Sequence, residues 1–302
     1  MSSPNYYLLL FLIIHSYAAD FELSTAKFAL EFAAAAYSET PTDCVTKNNG
    51  TVVLRITQPC DYLKDECWGL VTLTPKHIVI SFRGTRTKLQ LITELVETMS
   101  EPKKKLRAGG SVQHYFYVAL SSIWKPIQSV VRKLAKAYPD NDIIFTGHSL
   151  GGALASLAST VFAFRHQDLR AKIILCTFGQ PRVGNYEYAE VHNALLEKSW
   201  RVVHKYDIVA HLPACAINPL SRACTSFFNH APYHHGVEIW YPGEMNDTSL
   251  YKQCSGTPVD EDQSCSNGWY LHYGIKDHVV YYNHYVSQYG VDGCVDLPEK
   301  PN

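Results

Sequence analysis

The fold is decided at Asp142-Ile143-Ile144-Phe145-Thr146-Gly147-His148-Ser149-Leu150-Gly151, which leads directly into Gly152-Ala153-Leu154-Ala155-Ser156-Leu157-Ala158. The apolar run before Gly147 predicts a buried β-strand, and the alanine- and leucine-rich run after it predicts a helix. Between them lies a Gly-x-Ser-x-Gly motif, typical of a sharp strand-to-helix turn that lifts a serine hydroxyl clear of the sheet. We interpret Ser149 as a nucleophile and the N–H of Leu150 as a donor to a developing oxyanion. The alternative is an ordinary serine in a glycine-rich turn.

The rest of the chain alternates apolar strands with helices. Periodicity predicts helices over residues 21–37 and 112–138, the second with Pro126 as a candidate kink. Buried strands are predicted at residues 77–82, 142–146, 172–178 and 200–203. This alternation favours an α/β fold with a mainly parallel central sheet and helices on both faces. Because no repeat or Ser/Gly-rich linker divides the mature chain, residues 19–302 are predicted to form a single domain.

A nucleophilic serine needs a histidine base and an acid that orients it. On a turn of this kind they follow the serine in the order acid, then histidine. Asp207 lies in the turn after the predicted strand at 200–203, where the chain emerges at the carboxyl edge of the sheet. We therefore predict Asp207 as the acid, with a surface aspartate as the alternative.

Position must also select the base, because the chain contains 14 histidines. His278 lies in a loop-like segment before an apolar run, and His234 and His235 are its rivals. His230 and His234 share the i, i+4 spacing of some metal ligands. Pro232 intervenes, however, and no carboxylate motif accompanies them, so no metal site is predicted there.

The bulk properties are those of a well-packed globular protein. Of the 302 residues, 46% are hydrophobic and 18% are charged, which excludes a disordered chain. The formal net charge of −1 provides no field for attracting nucleic acid, and no nucleic-acid motif is present. Beyond the N-terminus, no stretch approaches the roughly 18 apolar residues that a membrane span needs.

The N-terminus is typical of a secretory signal. Residues 6–14 are apolar but too short to span a bilayer, and cleavage after Ala18 leaves Ser16 and Ala18 at the two small-residue positions. The segment carries no Lys or Arg, which departs from the usual pattern, and a buried first helix is the alternative. We predict a signal peptide over residues 1–18 and a secreted protein, with luminal or lysosomal retention left open.

The cysteines fit an exported protein. There are nine, and none forms the Cys-x-x-Cys pair of a zinc site. Cys176 lies in an apolar run and is predicted to be a buried free thiol. The other eight lie in loops, where three short-range pairs are plausible although spacing does not fix connectivity: Cys60–Cys67, Cys215–Cys224 and Cys254–Cys265. Asn49 and Asn246 begin Asn-x-Thr triplets, which are acceptors for N-glycosylation.

Together these motifs resemble the class 3 lipases, the family of the filamentous-fungal triacylglycerol lipases with nematode and plant members. The resemblance runs from about residue 21 to residue 294 and rests on five ordered segments: Ile80-Ser81-Phe82-Arg83-Gly84-Thr85, Thr146-Gly147-His148-Ser149-Leu150-Gly151-Gly152-Ala153-Leu154-Ala155, Phe178-Gly179-Gln180-Pro181-Arg182-Val183-Gly184-Asn185, the Asp207 segment, and Asp277-His278-Val279-Val280-Tyr281. It implies the α/β-hydrolase fold and a catalytic triad of Ser149, Asp207 and His278. It also implies an oxyanion hole formed by Thr85 and the N–H of Leu150.

The resemblance implies three further features. His235 matches a family position in a strand, where the histidine is not the base. Cys44 and Cys294 match a disulfide that ties the C-terminus to the N-terminal region. Residues 88–99 match the family's amphipathic lid, although they lack the tryptophan of many fungal members. Apolar residues recur there at helical spacing, and a fixed core helix is the alternative to a mobile lid.

The expected function is carboxylic ester hydrolysis through a Ser-His-Asp acyl-enzyme, with triacylglycerol as the first expectation for the substrate. The expected partner is a lipid or other ester, met at a lipid–water interface, and no metal or organic cofactor is implied. A phospholipase or a soluble-ester esterase on the same fold is the alternative, followed by a lipid-binding protein without catalysis. The sequence does not indicate acyl-chain preference or oligomeric state.

Overall fold

The computed structural model describes residues 19–60, 66–85, 104–269 and 272–295. The predicted signal peptide (1–18) and the predicted lid segment (88–99) lie outside the described residues. Within these ranges, no helix combines the length and the apolar character needed to cross a membrane.

An eight-stranded sheet forms the centre of the structure. From one edge to the other, its strands are β1 (Thr51–Pro59), β2 (Glu66–Leu73), β3 (His77–Phe82), β6 (Asp142–His148), β7 (Ile173–Phe178), β9 (Lys198–His204), β11 (Val237–Tyr241) and β12 (Lys252–Cys254). The strands from β3 to β11 pair in parallel, and only the flanking strands β1, β2 and β12 are antiparallel to their neighbours. A second sheet contains four short strands: β4 (Lys104–Lys105), β5 (Ser111–Val112), β8 (Gly184–Asn185) and β10 (Pro232–Tyr233). A hairpin of β13 (Val280–Tyr281) and β14 (His284–Tyr285) follows.

Helices cover both faces of the central sheet, as predicted. They are α1 (Leu23–Ala35), α2 (Thr42–Lys47), α3 (His114–Ala137), α4 (Leu150–Arg165), α5 (Tyr186–Leu195) and α6 (Val286–Val291). In β6, Ile143 and Phe145 join the apolar cluster under α3 and α4, whereas Ile144 joins the cluster under α1. Both faces of the strand are therefore buried, which explains why its sequence is apolar without alternation.

The predicted elements occur with small shifts at their ends. The helix predicted over residues 112–138 is α3, and Pro126 lies inside it. The strand predicted over residues 142–146 continues to His148, so it reaches the residue before Ser149. Strands β1 and β2 were not predicted, because their residues lie in a region of mixed turn and β-prone character. The side chains of β1 alternate between exposed and half-buried, which leaves little apolar signal in an edge strand.

Four disulfides are present, and all four predicted pairs are confirmed: Cys44–Cys294, Cys60–Cys67, Cys215–Cys224 and Cys254–Cys265. Three of these cysteines lie in a helix or a strand rather than in a loop as predicted: Cys44, Cys67 and Cys254. The Cys44–Cys294 disulfide joins residues 250 positions apart and connects α2 to the segment after α6. Cys176 is a buried free cysteine, also as predicted. Disulfides form and persist in oxidising compartments, so this framework suits an exported protein.

Candidate functional site

Ser149 stands at the turn between β6 and α4. Its backbone angles are φ 61° and ψ −131°, a strained conformation for a residue with a side chain. Its N–H donates to the carbonyl oxygen of Phe178 at 2.9 Å, which ties the turn to the end of the neighbouring strand β7. A Cβ on Gly151 would collide with the carbonyl oxygen of Phe82, so only glycine permits this close approach of α4 to β3.

Asp207 lies in the turn that follows β9, and its carboxylate is fully buried. Three donors surround it. The Oδ2 atom accepts from His278 Nδ1 at 2.9 Å and from the Tyr281 hydroxyl at 2.6 Å. The Oδ1 atom accepts from the Val209 N–H at 2.8 Å. The carboxylate is therefore satisfied on both oxygens and held in one orientation.

These contacts decide the charge of Asp207. Burial alone would raise the pKa of the carboxyl group. The positive charge of His278 and the hydrogen bonds from His278 and Tyr281 outweigh it and lower the pKa to about 2. Asp207 is consequently ionised at neutral pH, as a group that orients a histidine and stabilises its positive form must be.

His278 lies in the loop before β13, and its ring is buried between Asp207 and the serine turn. Its Nδ1 faces Asp207, so Nε2 is the nitrogen left for chemistry. Within the described residues, neither His278 Nε2 nor Ser149 Oγ has a hydrogen-bond partner, although both atoms are buried. Several other buried polar atoms also lack a partner among the described residues, but these two belong to the groups that a nucleophile–base pair requires.

Gly179 follows β7 and lies against the hydrogen-bonded pair formed by Asp207 and His278. It has φ +57°, and a Cβ at this position would lie 2.5 Å from Asp207 Oδ2 and 2.7 Å from His278 Nδ1. Such distances are shorter than real contacts, so a side chain here would displace one of the two groups. Sequence reasoning missed this role; the only signal was a glycine immediately after a buried strand.

His148 is a second residue that sequence reasoning missed. Its ring stacks on that of His278, with centroids 4.6 Å apart and planes 27° apart. Its two nitrogens are within hydrogen-bond distance of the His278 carbonyl oxygen (Nε2, 2.7 Å) and the Tyr37 hydroxyl (Nδ1, 2.9 Å). Burial, together with the neighbouring charge of His278, lowers the pKa of His148 to about 3. His148 therefore stays neutral and packs against His278 without competing for its proton.

The two residues predicted for the oxyanion hole flank Ser149. Leu150 is the first residue of α4, so its N–H lies at the positive end of the helix. Thr85 is half-buried and follows Gly84. A Cβ on Gly84 would lie 3.2 Å from Ser149 Cβ, which places the end of this segment beside the serine.

The rival histidines lie outside this cluster. His235 Nε2 is within hydrogen-bond distance of the Ser156 hydroxyl (2.6 Å), beneath α4. His234 Nε2 donates to the Ala210 carbonyl oxygen (2.8 Å), while His230 is exposed. Each of the two buried rings thus has a packing role away from Ser149.

A buried arginine holds the segment after Asp207. Arg182 donates through Nε and Nη2 to the two carboxylate oxygens of Glu261, both at 2.7 Å. The same guanidinium donates to the carbonyl oxygens of His211 and Pro213 at 2.5 and 3.1 Å. His211 Nδ1 in turn lies 2.8 Å from the carbonyl oxygen of Asp207. The loop that carries the carboxylate is therefore fixed by a charged pair with bidentate geometry.

The chain is similar in sequence and in structure to known lipases. A family model for lipase (class 3) matches residues 79–217. Lipase ZK262.3 of Caenorhabditis elegans is 34% identical over 299 residues, a match that covers 91% of this chain and 83% of that protein. A lipase of Rhizopus niveus is 32% identical over 209 residues, covering 69% of this chain but 48% of the fungal protein. The solved lipase of Rhizopus microsporus var. chinensis superposes with a TM-score of 0.71 at 27% identity, covering 87% of this chain and 89% of that one.

Proposed function

Because this chain belongs to the class 3 lipase family, and is thus a carboxylic ester hydrolase, we propose that it hydrolyses triacylglycerols through an acyl-enzyme formed on Ser149. The observation that carries the proposal is the buried hydrogen bond from His278 to Asp207 at 2.9 Å, next to the strained serine turn. A serine hydroxyl, an imidazole and an ionised carboxylate in this arrangement are the components of acyl transfer.

The reaction begins when His278 Nε2 takes the proton of the Ser149 hydroxyl as the oxygen attacks the ester carbonyl. The resulting imidazolium lies between Asp207, which compensates its charge, and His148, which remains neutral. His278 then returns the proton to the departing alcohol. Water attacks the acyl-enzyme by the same route and releases the fatty acid.

Thr85 and Leu150 stabilise the tetrahedral oxyanion in this mechanism. The proposal rests on Gly84, the residue before Thr85, which lies beside Ser149, and on the position of Leu150 at a helix N-terminus. Loss of one oxyanion donor typically lowers kcat by about 10²- to 10³-fold. A Thr85→Ala protein with the kcat of the wild type would rule out a role for this side chain.

The substrate form is tested by a concentration series of triacylglycerols that passes through the solubility limit of each lipid. We expect the rate to rise steeply above that limit, because the enzyme acts on lipid at a lipid–water interface, and we expect no rise with a Ser149→Ala control. Smooth saturation below the limit would indicate a soluble-ester esterase instead. Turnover of phospholipids without turnover of triacylglycerols would indicate a phospholipase.

Gly179→Ala is expected to lower kcat by about 100-fold, since a displacement of reacting groups by about 1 Å has effects of that size. The new Cβ would press on Asp207 and His278, whereas KM should change little because no substrate contact is involved. Gly243→Ala is the matched control, because a Cβ at Gly243 has no heavy atom within 4 Å. Steady-state kinetics on a soluble ester measure both; an unchanged kcat in Gly179→Ala would contradict the proposed support of the pair.

The protein is secreted in this proposal, and its signal peptide is removed after Ala18. The support comes from the apolar segment of residues 6–14 and from four disulfides, which require an oxidising compartment. Expressed in a secretory host, the protein should appear in the medium with Ala19 as its first residue by N-terminal sequencing. Recovery only from a lysosomal or luminal fraction would support retention instead.

A further inference from the structure

An exposed apolar surface lies next to the candidate site and has no role in the proposed chemistry. It is formed by residues 215–228, here called the apolar loop. Four of its large apolar side chains are exposed: Ile217 (58%), Leu220 (96%), Phe227 (84%) and Phe228 (54%). No other stretch of twelve residues in the described part of the chain exposes as many. Clustered exposure of this kind on a protein in water marks an interaction site.

Both ends of the apolar loop are fixed at the edge of the sheet that carries the catalytic residues. Before the loop, the carbonyl oxygen of Leu212 accepts from the Arg182 N–H at 2.8 Å. After it, the carbonyl oxygen of Asn229 accepts from Asn185 Nδ2 at 2.7 Å. Arg182 and Asn185 both belong to the segment that leaves the carboxyl end of β7. The loop therefore projects from the same edge as Ser149.

The apolar loop is connected to the acid through His211. Ile217 and Cys215 line a cavity of about 360 Å³ together with His211 and Tyr273. His211 contacts the Asp207 backbone, as described above, and its ring stacks on that of Tyr273 at 3.8 Å. One residue, His211, therefore separates the cavity beside the apolar loop from Asp207.

The loop is held in one conformation. The Cys215–Cys224 disulfide closes residues 215–224, and backbone hydrogen bonds join Asn218 to Ala223 (2.9 Å) and Thr225 to Ala216 (2.8 Å). The Asn218 side chain accepts from the N–H of Leu220 at 2.9 Å and so fixes the exposed tip. Because these residues are already ordered, binding through them costs little conformational entropy.

The charged residues near the apolar loop indicate what kind of partner it binds. From Ile208 to Val237 the sequence contains no Asp, Glu or Lys, and Arg222 is its only arginine. Apolar side chains with a single cation match a surface of acyl chains and phosphate headgroups. A carboxylate in this stretch would be repelled by such headgroups, and there is none.

We propose that the apolar loop inserts Leu220 and Phe227 into the phospholipid-coated surface of an aggregated lipid substrate, with Arg222 at the level of the phosphates. This inference rests on the proposed function, since it supplies the contact that brings the site to its substrate. It assigns the docking to a loop of the described chain in which a disulfide closes residues 215–224.

Binding is measured separately from catalysis by using Ser149→Ala protein and flotation with a triolein emulsion coated with phosphatidylcholine. Replacing Leu220 and Phe227 by Ser in this background should weaken binding at least about tenfold, because two large apolar side chains no longer enter the lipid. The matched control replaces Phe164 and Val259 by Ser. Both are exposed apolar residues on the side of the molecule away from Ser149, where α4 ends and where β9 and β11 begin. Its binding should equal that of the parent.

A second measurement in the active enzyme separates this inference from the proposed function. With Leu220 and Phe227 replaced by Ser, kcat/KM on soluble p-nitrophenyl butyrate should be unchanged while hydrolysis of the emulsion falls. Equal flotation of the two double variants would overturn the inference, even if the wild type hydrolyses triolein. Loss of dimers in sedimentation velocity with unchanged flotation would also overturn it, since a second copy of the chain would then cover the loop. An enzyme that floats through this loop but never cleaves triolein would refute the proposed function alone.

Discussion

Ser149→Ala is expected to lower kcat for ester hydrolysis by about 10⁶-fold, the largest effect of any single substitution considered. Alanine retains the turn but has no oxygen with which to form the acyl-enzyme. Residual turnover would come only from the oxyanion donors and from substrate binding. Hydrolysis of a soluble ester, with a long time course for the variant, measures this ratio.

The same substitution should leave the fold intact. Ser149 Oγ has no hydrogen-bond partner among the described residues, so its removal breaks no contact there. Ser159→Ala is the matched control. It lies in α4, the helix that Ser149 precedes, and its hydroxyl donates to the Ser156 carbonyl oxygen. A labelled fluorophosphonate should modify the wild type and Ser159→Ala but not Ser149→Ala. Labelling of the Ser149→Ala protein would assign the nucleophile to another residue.

The sequence predicts the central parallel strands well, whereas the antiparallel strand β2 was missed although most of its residues are buried. The apolar runs of β3, β6 and β7 predict buried strands joined by helices, and the parallel sheet confirms them. The edge strand β1 was missed because solvent covers one of its sides, so polar residues such as Arg55 and Gln58 occur within it. The class 3 lipase family, the ester hydrolase class and the four disulfide pairs are likewise confirmed.

Only those site residues that belong to a sequence motif can be predicted from the sequence. Ser149 and Leu150 are identified by local spacing, and Asp207 and His278 by their order and family resemblance; their catalytic roles stay predictions. His148 and Tyr37 interact across 111 residues, and His148 and His278 across 130. No local pattern specifies such contacts, because they arise only once β6 and the loop before β13 are brought together by the sheet.

Asp207→Asn is expected to lower kcat by about 10⁴-fold, although asparagine has the same shape as aspartate. The carboxylate accepts from three donors, whereas an amide offers one oxygen and one NH₂ group. If the amide oxygen faces His278, the NH₂ group opposes the Val209 N–H. If it faces Val209, His278 must accept at Nδ1 and carry its proton on Nε2. In that tautomer the histidine cannot take the proton of Ser149.

The pH dependence of the wild-type kcat tests whether Asp207 acts as an ionised partner of His278 or has only a structural role. Asp207 has its pKa lowered to about 2, so it remains ionised as the pH falls towards 4 and contributes no acidic limb to the kcat profile there. Any limb above that range belongs to another group. Asp277→Asn, the same chemical change beside His278, is the control and should stay within threefold of the wild type. A loss of less than tenfold in Asp207→Asn would show that Asp207 does not set the tautomer of His278, because the wrong tautomer alone removes the base.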